Sequence, residues 1–202
     1  MRTLVADILT WPSFSERFGY DFNGFFVRRP DGNLVIDPVE PTPEDLELLV
    51  REGVARILIT NRNHFRAAAR VREATGARVA VHAADAAFVR EKGVTVDDAL
   101  VGGERVGPFV VVPAAGKSPG EVALHWADKR ILIVGDACVG NPPGRLGLLP
   151  AAVIDAPEEL RQSLRRLAAE LVFDTLLLAD GECILRGGRS ALQALVATFD
   201  SP

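Results

Sequence analysis

An apolar run, Ile57-Leu58-Ile59, ends at Thr60 and opens into Asn61-Arg62-Asn63-His64-Phe65-Arg66, where every side chain but one is polar or charged. Amides and guanidinium groups in such a loop donate hydrogen bonds to an anion or a carboxylate, and an imidazole serves as base or metal ligand. Two other aliphatic runs end in an acid beside a glycine, Gly135-Asp136-Ala137 and Ala179-Asp180-Gly181. Converging carboxylates can work as an acid and base pair or hold a cation. A lysine joins them on the turn Gly116-Lys117-Ser118-Pro119-Gly120. The expected pocket is therefore Asn61, Arg62, Asn63, His64, Arg66, Lys117, Asp136 and Asp180. Cys138 and Cys183 follow the two acids closely, so His64, Asp136, Asp180, Cys138 and Cys183 form an alternative metal-ligand set. The Gly116-Lys117-Ser118 turn is no phosphate-binding P-loop, because Val111 stands where that motif needs glycine and Pro119-Gly120 follows where a helix should start.

The elements that must position these residues are short strands, since sites of this kind form where strands leave a sheet at their carboxyl ends. Residues 3–8 read as an opening strand. Residues 23–28 and 33–36 read as a hairpin turning at Pro30-Asp31-Gly32. Thr42-Pro43-Glu44-Asp45 starts a helix that Gly53 ends. A helix over 64–75, a strand over 78–81 and a helix over 84–91 follow, which is an α/β order. From 94 to 134 glycines and prolines separate short antiparallel strands, and residues 139–150 make a loop over the strand ends. Asp155 with Glu158 predicts a capping box for a helix to about 171. A strand over 175–178 and a helix over 190–199 close the chain. A sheet with helices thus occurs twice, as two similar halves.

With 202 residues, 48% hydrophobic and 25% charged, the chain suits one globular domain over 1–202. A net charge of -4 with acids and bases interleaved offers no basic stripe, so neither nucleic acid nor membrane is an expected partner. The first residues, interrupted by Asp7, do not read as a secretory signal, and two cysteines are too few for a disulfide scaffold, so a cytoplasmic location is expected.

Taken in order, these motifs resemble those of the metallo-beta-lactamase superfamily. Asn33-Leu34-Val35-Ile36-Asp37 is similar to its early strand ending in aspartate, residues 57–66 to its H-x-H-x-D-H strand and loop, and residues 116–120 to its G-H-T-P-G turn. Gly135-Asp136-Ala137 resembles the segment with the bridging aspartate, and Asp180 stands where the last histidine is usually found. The resemblance implies a four-layer αββα sandwich and zinc-dependent hydrolysis. It also implies that Asn61, Asn63, Phe65, Arg66, Lys117 and Asp180 have replaced ligands, with Asp136 alone retained. Zinc wants imidazole, thiolate or carboxylate donors, and cationic side chains repel it. The expectation is therefore no bound cofactor, with Lys117 and Arg66 facing Asp136 and Asp180 as fixed counter-charges, and zinc as the alternative.

Without a metal the family's attack by activated water lacks its nucleophile. A metal-free pocket for a small anion or carboxylate, or a structural or regulatory role, is the favoured expectation. A weak metal-dependent hydrolase on the rearranged ligand set is the second, and a dimerisation scaffold, a homodimer without ligand, the third. His64 also has a plain reading as a hydrogen-bonded structural group, and His82 and His125 share it.

Overall fold

Residues 1–200 are described by the computed structural model; Ser201 and Pro202, the end of the expected domain, lie outside the described residues. Two units divide the chain, Met1–Val101 and the remainder from Gly102, each built on one sheet.

In the first unit β1 (Arg2–Val5), β2 (Ile8–Ser15), β3 (Tyr20–Val27), β4 (Leu34–Ile36), β5 (Arg56–Ile59), β6 (Arg78–His82) and β7 (Asp98–Leu100) lie across the sheet in chain order. The expected opening strand over 3–8 is instead a hairpin. Ala6, at a φ of 46°, and Asp7 turn the chain so that β2 pairs back on β1. The ladder from β1 to β4 is antiparallel and from β4 to β7 parallel. Parallel neighbours need a crossover, and helices supply it: α1 (Pro43–Glu52), α2 (Ala68–Thr75) and α3 (Ala83–Glu91). So β7, expected within an antiparallel stretch, lies parallel to β6 because α3 carries the chain back across the sheet.

The helix signals at α1 are local, and the structure shows them. Thr42 Oγ1 accepts from Asp45 N at 3.2 Å, and Gly53 ends α1 at a φ of 74°. The helix expected over 64–75 is two pieces, a 3-10 turn at Arg62–Phe65 and α2, because the chain kinks before Ala68. Leu49, Val71 and Val89 from the helices cluster with Phe26, Ile57 and Val79 of the sheet. Burying each such side chain contributes about 1.5–3 kcal/mol.

In the second unit β8 (Arg105–Val106), β9 (Phe109–Pro113), β10 (Val122–Trp126) and β11 (Ile131–Val134) are antiparallel neighbours, while β12 (Thr175–Leu178) lies parallel to β11. The intervening α4 (Pro157–Glu170) makes that parallel pairing, and α5 (Gly188–Ala197) follows β12. Leu160, Leu164 and Leu167, at helical spacing, join Leu132, Leu176 and Leu192 in the unit's core. The predicted Asp155 capping box does not form. Ala156 is the residue before the helix, Pro157 opens it, and no side chain caps it. The backbone does different work there: Ala156 N donates to Gly116 O at 2.8 Å and Asp155 N to Lys117 O at 3.3 Å. The start of α4 is thereby docked on the lysine-bearing turn. No described helix is long and apolar enough to cross a membrane.

Candidate functional site

The first unit organises its polar loop around Asp37, at the carboxyl end of β4. Ile36 pairs with Leu58 of β5, which brings Thr60 beside Asp37. The Asp37 carboxylate accepts from Thr60 N at 2.8 Å and Thr60 Oγ1 at 2.6 Å, and His64 Nδ1 lies 3.0 Å from Oδ2. All three residues are fully buried. Because a carboxylate only accepts, Nδ1 carries a hydrogen. A histidine held this way can be a metal ligand or a base through Nε2, and the same contact satisfies a structural histidine.

The other loop residues make contacts within this unit as well. Asn61, fully buried, accepts from Asn63 N at 2.9 Å and so caps the 3-10 turn. Arg62 N donates to buried Asp85 at 2.8 Å, and its guanidinium lies 5.4 Å from the Phe88 ring centroid. Asn63 is exposed. Arg66, expected as a counter-charge for the acids, lies 4.1 Å over the Phe22 ring, a cation–π contact within this unit. Asp37 and Asp85 are residues that the expected pocket left out. For Asp37 the signal was present, as the acid closing an early strand just before Pro38.

The second unit brings three of the predicted residues together, and strand register explains how. Val134 of β11 pairs with Leu178 of β12, so Asp136 and Asp180 each lie two residues past the same rung. Their carboxylate oxygens are within 4.8 Å of one another. On the other side of β11, Ala123 of β10 pairs with Val134, which delivers the β9–β10 turn to the same end of the sheet. Lys117 Nζ sits 2.8 Å from Asp136 Oδ2, and both side chains are only 6% exposed. The expected pairing of Lys117 with Asp136 is thus in place.

Two glycines let the loop after β11 close on these acids. Gly140 N donates to Asp180 O at 3.0 Å, and Glu182 N donates to Gly140 O at 2.9 Å. A Cβ on Gly140 would lie 2.1 Å from the Glu182 carbonyl oxygen, so no larger residue fits. The loop expected over 139–150 is therefore tied to the end of β12, with Gly144 N bonded to Glu182 Oε2 at 2.8 Å.

The donor set decides how well a metal centre of the resembled kind fits. Of the positions matched to its ligands in the first unit, Asn61 binds backbone, Asn63 is exposed and Arg66 stacks on Phe22. In the second, an ammonium holds Asp136. That set does not fit two zinc ions. The cysteines of the alternative set do not help. Burial, with Glu121 adding to it, pushes the Cys138 thiol up to about 12, so it stays protonated where zinc needs thiolate. Cys183 Sγ is engaged with the Leu178 backbone, accepting from N at 3.3 Å. Among the described residues neither cysteine joins Asp136 and Asp180 in a cluster of ligand atoms. Outside the pocket, His82 Nδ1 caps α3 and His125 Nε2 lies 3.1 Å from Val172 O, the structural roles expected of them.

Comparison with known proteins matches residues 1–199 to the family model described as metallo-beta-lactamase superfamily. A hydroxyacylglutathione hydrolase of Cereibacter sphaeroides is 35% identical over 197 residues, covering 93% of this chain and 71% of that protein. Another, of Fuscovulum blasticum, is 29% identical over 174 residues, covering 82% and 63%. The chain thus spans between about three fifths and seven tenths of these relatives' length. A solved metallo-beta-lactamase family protein of Thermus thermophilus has a TM-score of 0.74 at 19% identity, covering 96% of this chain and 80% of its own.

Proposed function

The chain belongs to the metallo-beta-lactamase superfamily, and from that premise we propose that it is a member whose pocket holds a small anionic or carboxylate-bearing molecule without the family's two-zinc centre. One observation carries this reading: the Lys117 ammonium lies 2.8 Å from Asp136, the sole retained ligand position, in a buried ion pair. A buried carboxylate needs a partner of opposite charge, and an ammonium that supplies it competes directly with a metal. Arg62 and Asn63 on the polar loop are donors suited to an anion.

The relatives' names speak for a second reading, a metal-dependent hydrolase, and so does one geometric fact. Asp136 and Asp180 approach within 4.8 Å, close enough for one ion to bridge them. His64, from the alternative donor set, has its Nδ1 beside a carboxylate, as zinc-binding histidines have. The expectation of no cofactor draws no support from the comparisons; it stands on this chain's donors alone.

One experiment separates the two. Protein purified with and without added zinc is analysed for metal and assayed for hydrolysis of a hydroxyacylglutathione. Far less than one equivalent of metal and no turnover is the expected result. A full equivalent with zinc-dependent hydrolysis establishes the second reading and removes the first.

A further inference from the structure

We infer that Asp31-Gly32, in the turn between β3 and β4, is a site of spontaneous backbone modification, where the aspartate isomerises to isoaspartate and loosens the end of α1. Aspartate before glycine is prone to this reaction because glycine has no side chain to hinder attack by its own nitrogen. The Gly32 nitrogen attacks Cγ of the protonated Asp31 carboxyl; a C–N bond forms, and water leaves with the proton from nitrogen, giving a succinimide. Water then adds at the α-carbonyl of that ring and breaks its bond to nitrogen. The chain now runs through Cβ and Cγ, with a free α-carboxylate and no net change in mass.

The sequence holds three pairs in which asparagine or aspartate precedes glycine, and the structure treats them differently. Asn23-Gly24 is buried within β3, where Asn23 pairs with Pro12 and Gly24 with Trp11. The Trp11 ring lies so close that a Cβ on Gly24 would be 2.7 Å from it. Asp180-Gly181 is buried as well, with Asp180 O accepting from Gly140 N at 3.0 Å and Gly181 packed on the Gly140 backbone. Neither backbone can rotate for attack without opening the packing around it. Asp31 differs, with a side chain 59% exposed. Two contacts hold it: Gly32 N donates to Arg29 O at 3.2 Å, and Arg29 Nε to Asp31 Oδ1 at 3.2 Å. Exposed turns held by so little open readily. The glycine cannot be traded away, because its φ is 123° and a Cβ there would stand 2.9 Å from Ala55 Cβ.

The consequence for α1 runs through Asn33. Its Oδ1 accepts from Arg29 N at 2.8 Å, its Nδ2 donates to Glu52 O and Gly53 O at 3.0 Å each, and its carbonyl accepts from Ala55 N at 2.8 Å. Asn33 thus ties the turn to the last residues of α1. An extra backbone atom between Arg29 and Asn33 spoils that register.

The test incubates wild type and Asp31→Glu, whose longer side chain closes its ring far more slowly, for weeks at physiological temperature and mildly acidic pH. Wild type unfolded in guanidinium chloride is incubated beside them. Digestion by a protease that cleaves before aspartate but not before isoaspartate, followed by mass analysis, locates the product. Amide exchange at 50–55 and urea denaturation follow its effect. In folded wild type isoaspartate should build up at 31 at least roughly tenfold faster than at 180, and faster by a similar factor than Asn23 deamidates, while all three sites react in the unfolded chain. Aged wild type should exchange faster at 50–55 and unfold at lower urea than fresh protein, and aged Asp31→Glu should do neither. Reaction at 31 only in the unfolded chain, or equal reaction at all three sites in the folded one, overturns the inference. Protein carrying isoaspartate at 31 with unchanged exchange at 50–55 overturns the link to α1.

Discussion

Asp37 offers a direct test of whether the first unit's loop is built around one buried carboxylate. Replacing it with alanine removes the acceptor of Thr60 N at 2.8 Å, of Thr60 Oγ1 at 2.6 Å and of His64 Nδ1 at 3.0 Å. Each donor left buried without a partner costs about 1–3 kcal/mol. Because the three share one acceptor they do not add fully, so the expected loss is about 3–6 kcal/mol, a large part of an ordinary domain's stability. Thr60→Val removes only the hydroxyl bond and should lose about 1.5–3 kcal/mol, the usual worth of a bond to a charged group. Asp37→Asn should lose a similar amount, since the amide oxygen still accepts while charge is lost. The asparagine variant carries a second signature. An amide NH2 facing His64 Nδ1 favours the other tautomer, with hydrogen on Nε2. Urea denaturation measures the losses, and nitrogen-15 chemical shifts of the His64 ring report the tautomer. Asp37→Ala costing no more than Thr60→Val, or a wild-type ring with an unprotonated Nδ1, refutes the assignment of Asp37 as the hub.

Gly140→Ala drives a Cβ to 2.1 Å from the Glu182 carbonyl oxygen. It should destabilise by about 1–3 kcal/mol and speed proteolysis and amide exchange at 139–147. The Val79 amide and then the Arg72 guanidinium hold the Asp97 carboxyl below its usual range. Its folded value lies below its unfolded one, so its contribution is full above about pH 4 and is lost as pH falls through the folded value. Asp97→Asn should thus lower stability by about 1–2 kcal/mol at pH 7 and make the urea midpoint less sensitive to acid between about pH 5 and 2. Cys138, buried and raised to about 12, should resist thiol reagents at about pH 8 until the protein is unfolded; mass analysis showing native labelling at Cys138 contradicts that.

How much of this was legible in the sequence depended on whether the cause was local. Thr42 with Pro43 and Gly53 delimits α1 by its own backbone chemistry, and the aliphatic runs at 131–134 and 175–178 fill buried strands because nothing else suits them. The hairpin of β2 and β3 was hidden because Pro12 lies within β2, opposite Asn23, where a missing donor normally argues against a strand. The capping box at Asp155 had the right spacing but lost to a tertiary cause, the bonds that 155 and 156 make to the Lys117 turn. Asp37 and Asp85 escaped the site prediction for a related reason. Their partners, Thr60 and Arg62, are brought to them only once strand pairing and helix placement are known. Residue type announces charge but not direction, so the contact of the Arg66 guanidinium with the Phe22 ring was not legible.

The relation between this chain and its hydrolase relatives turns on what a fold holds constant. The pairing of Val134 with Leu178 and with Ala123 is a backbone property, so any acid two residues past β11 and β12, and any side chain at 117, arrives at the same end of the sheet. A divalent ion and an ammonium solve the same electrostatic problem there, the neutralisation of carboxylates taken out of water. They differ in what they leave open. An ion keeps coordination positions for a water whose proton affinity it lowers, whereas an ammonium has only hydrogens to donate. Substitution at position 117 is therefore expected to alter chemistry without disturbing the frame.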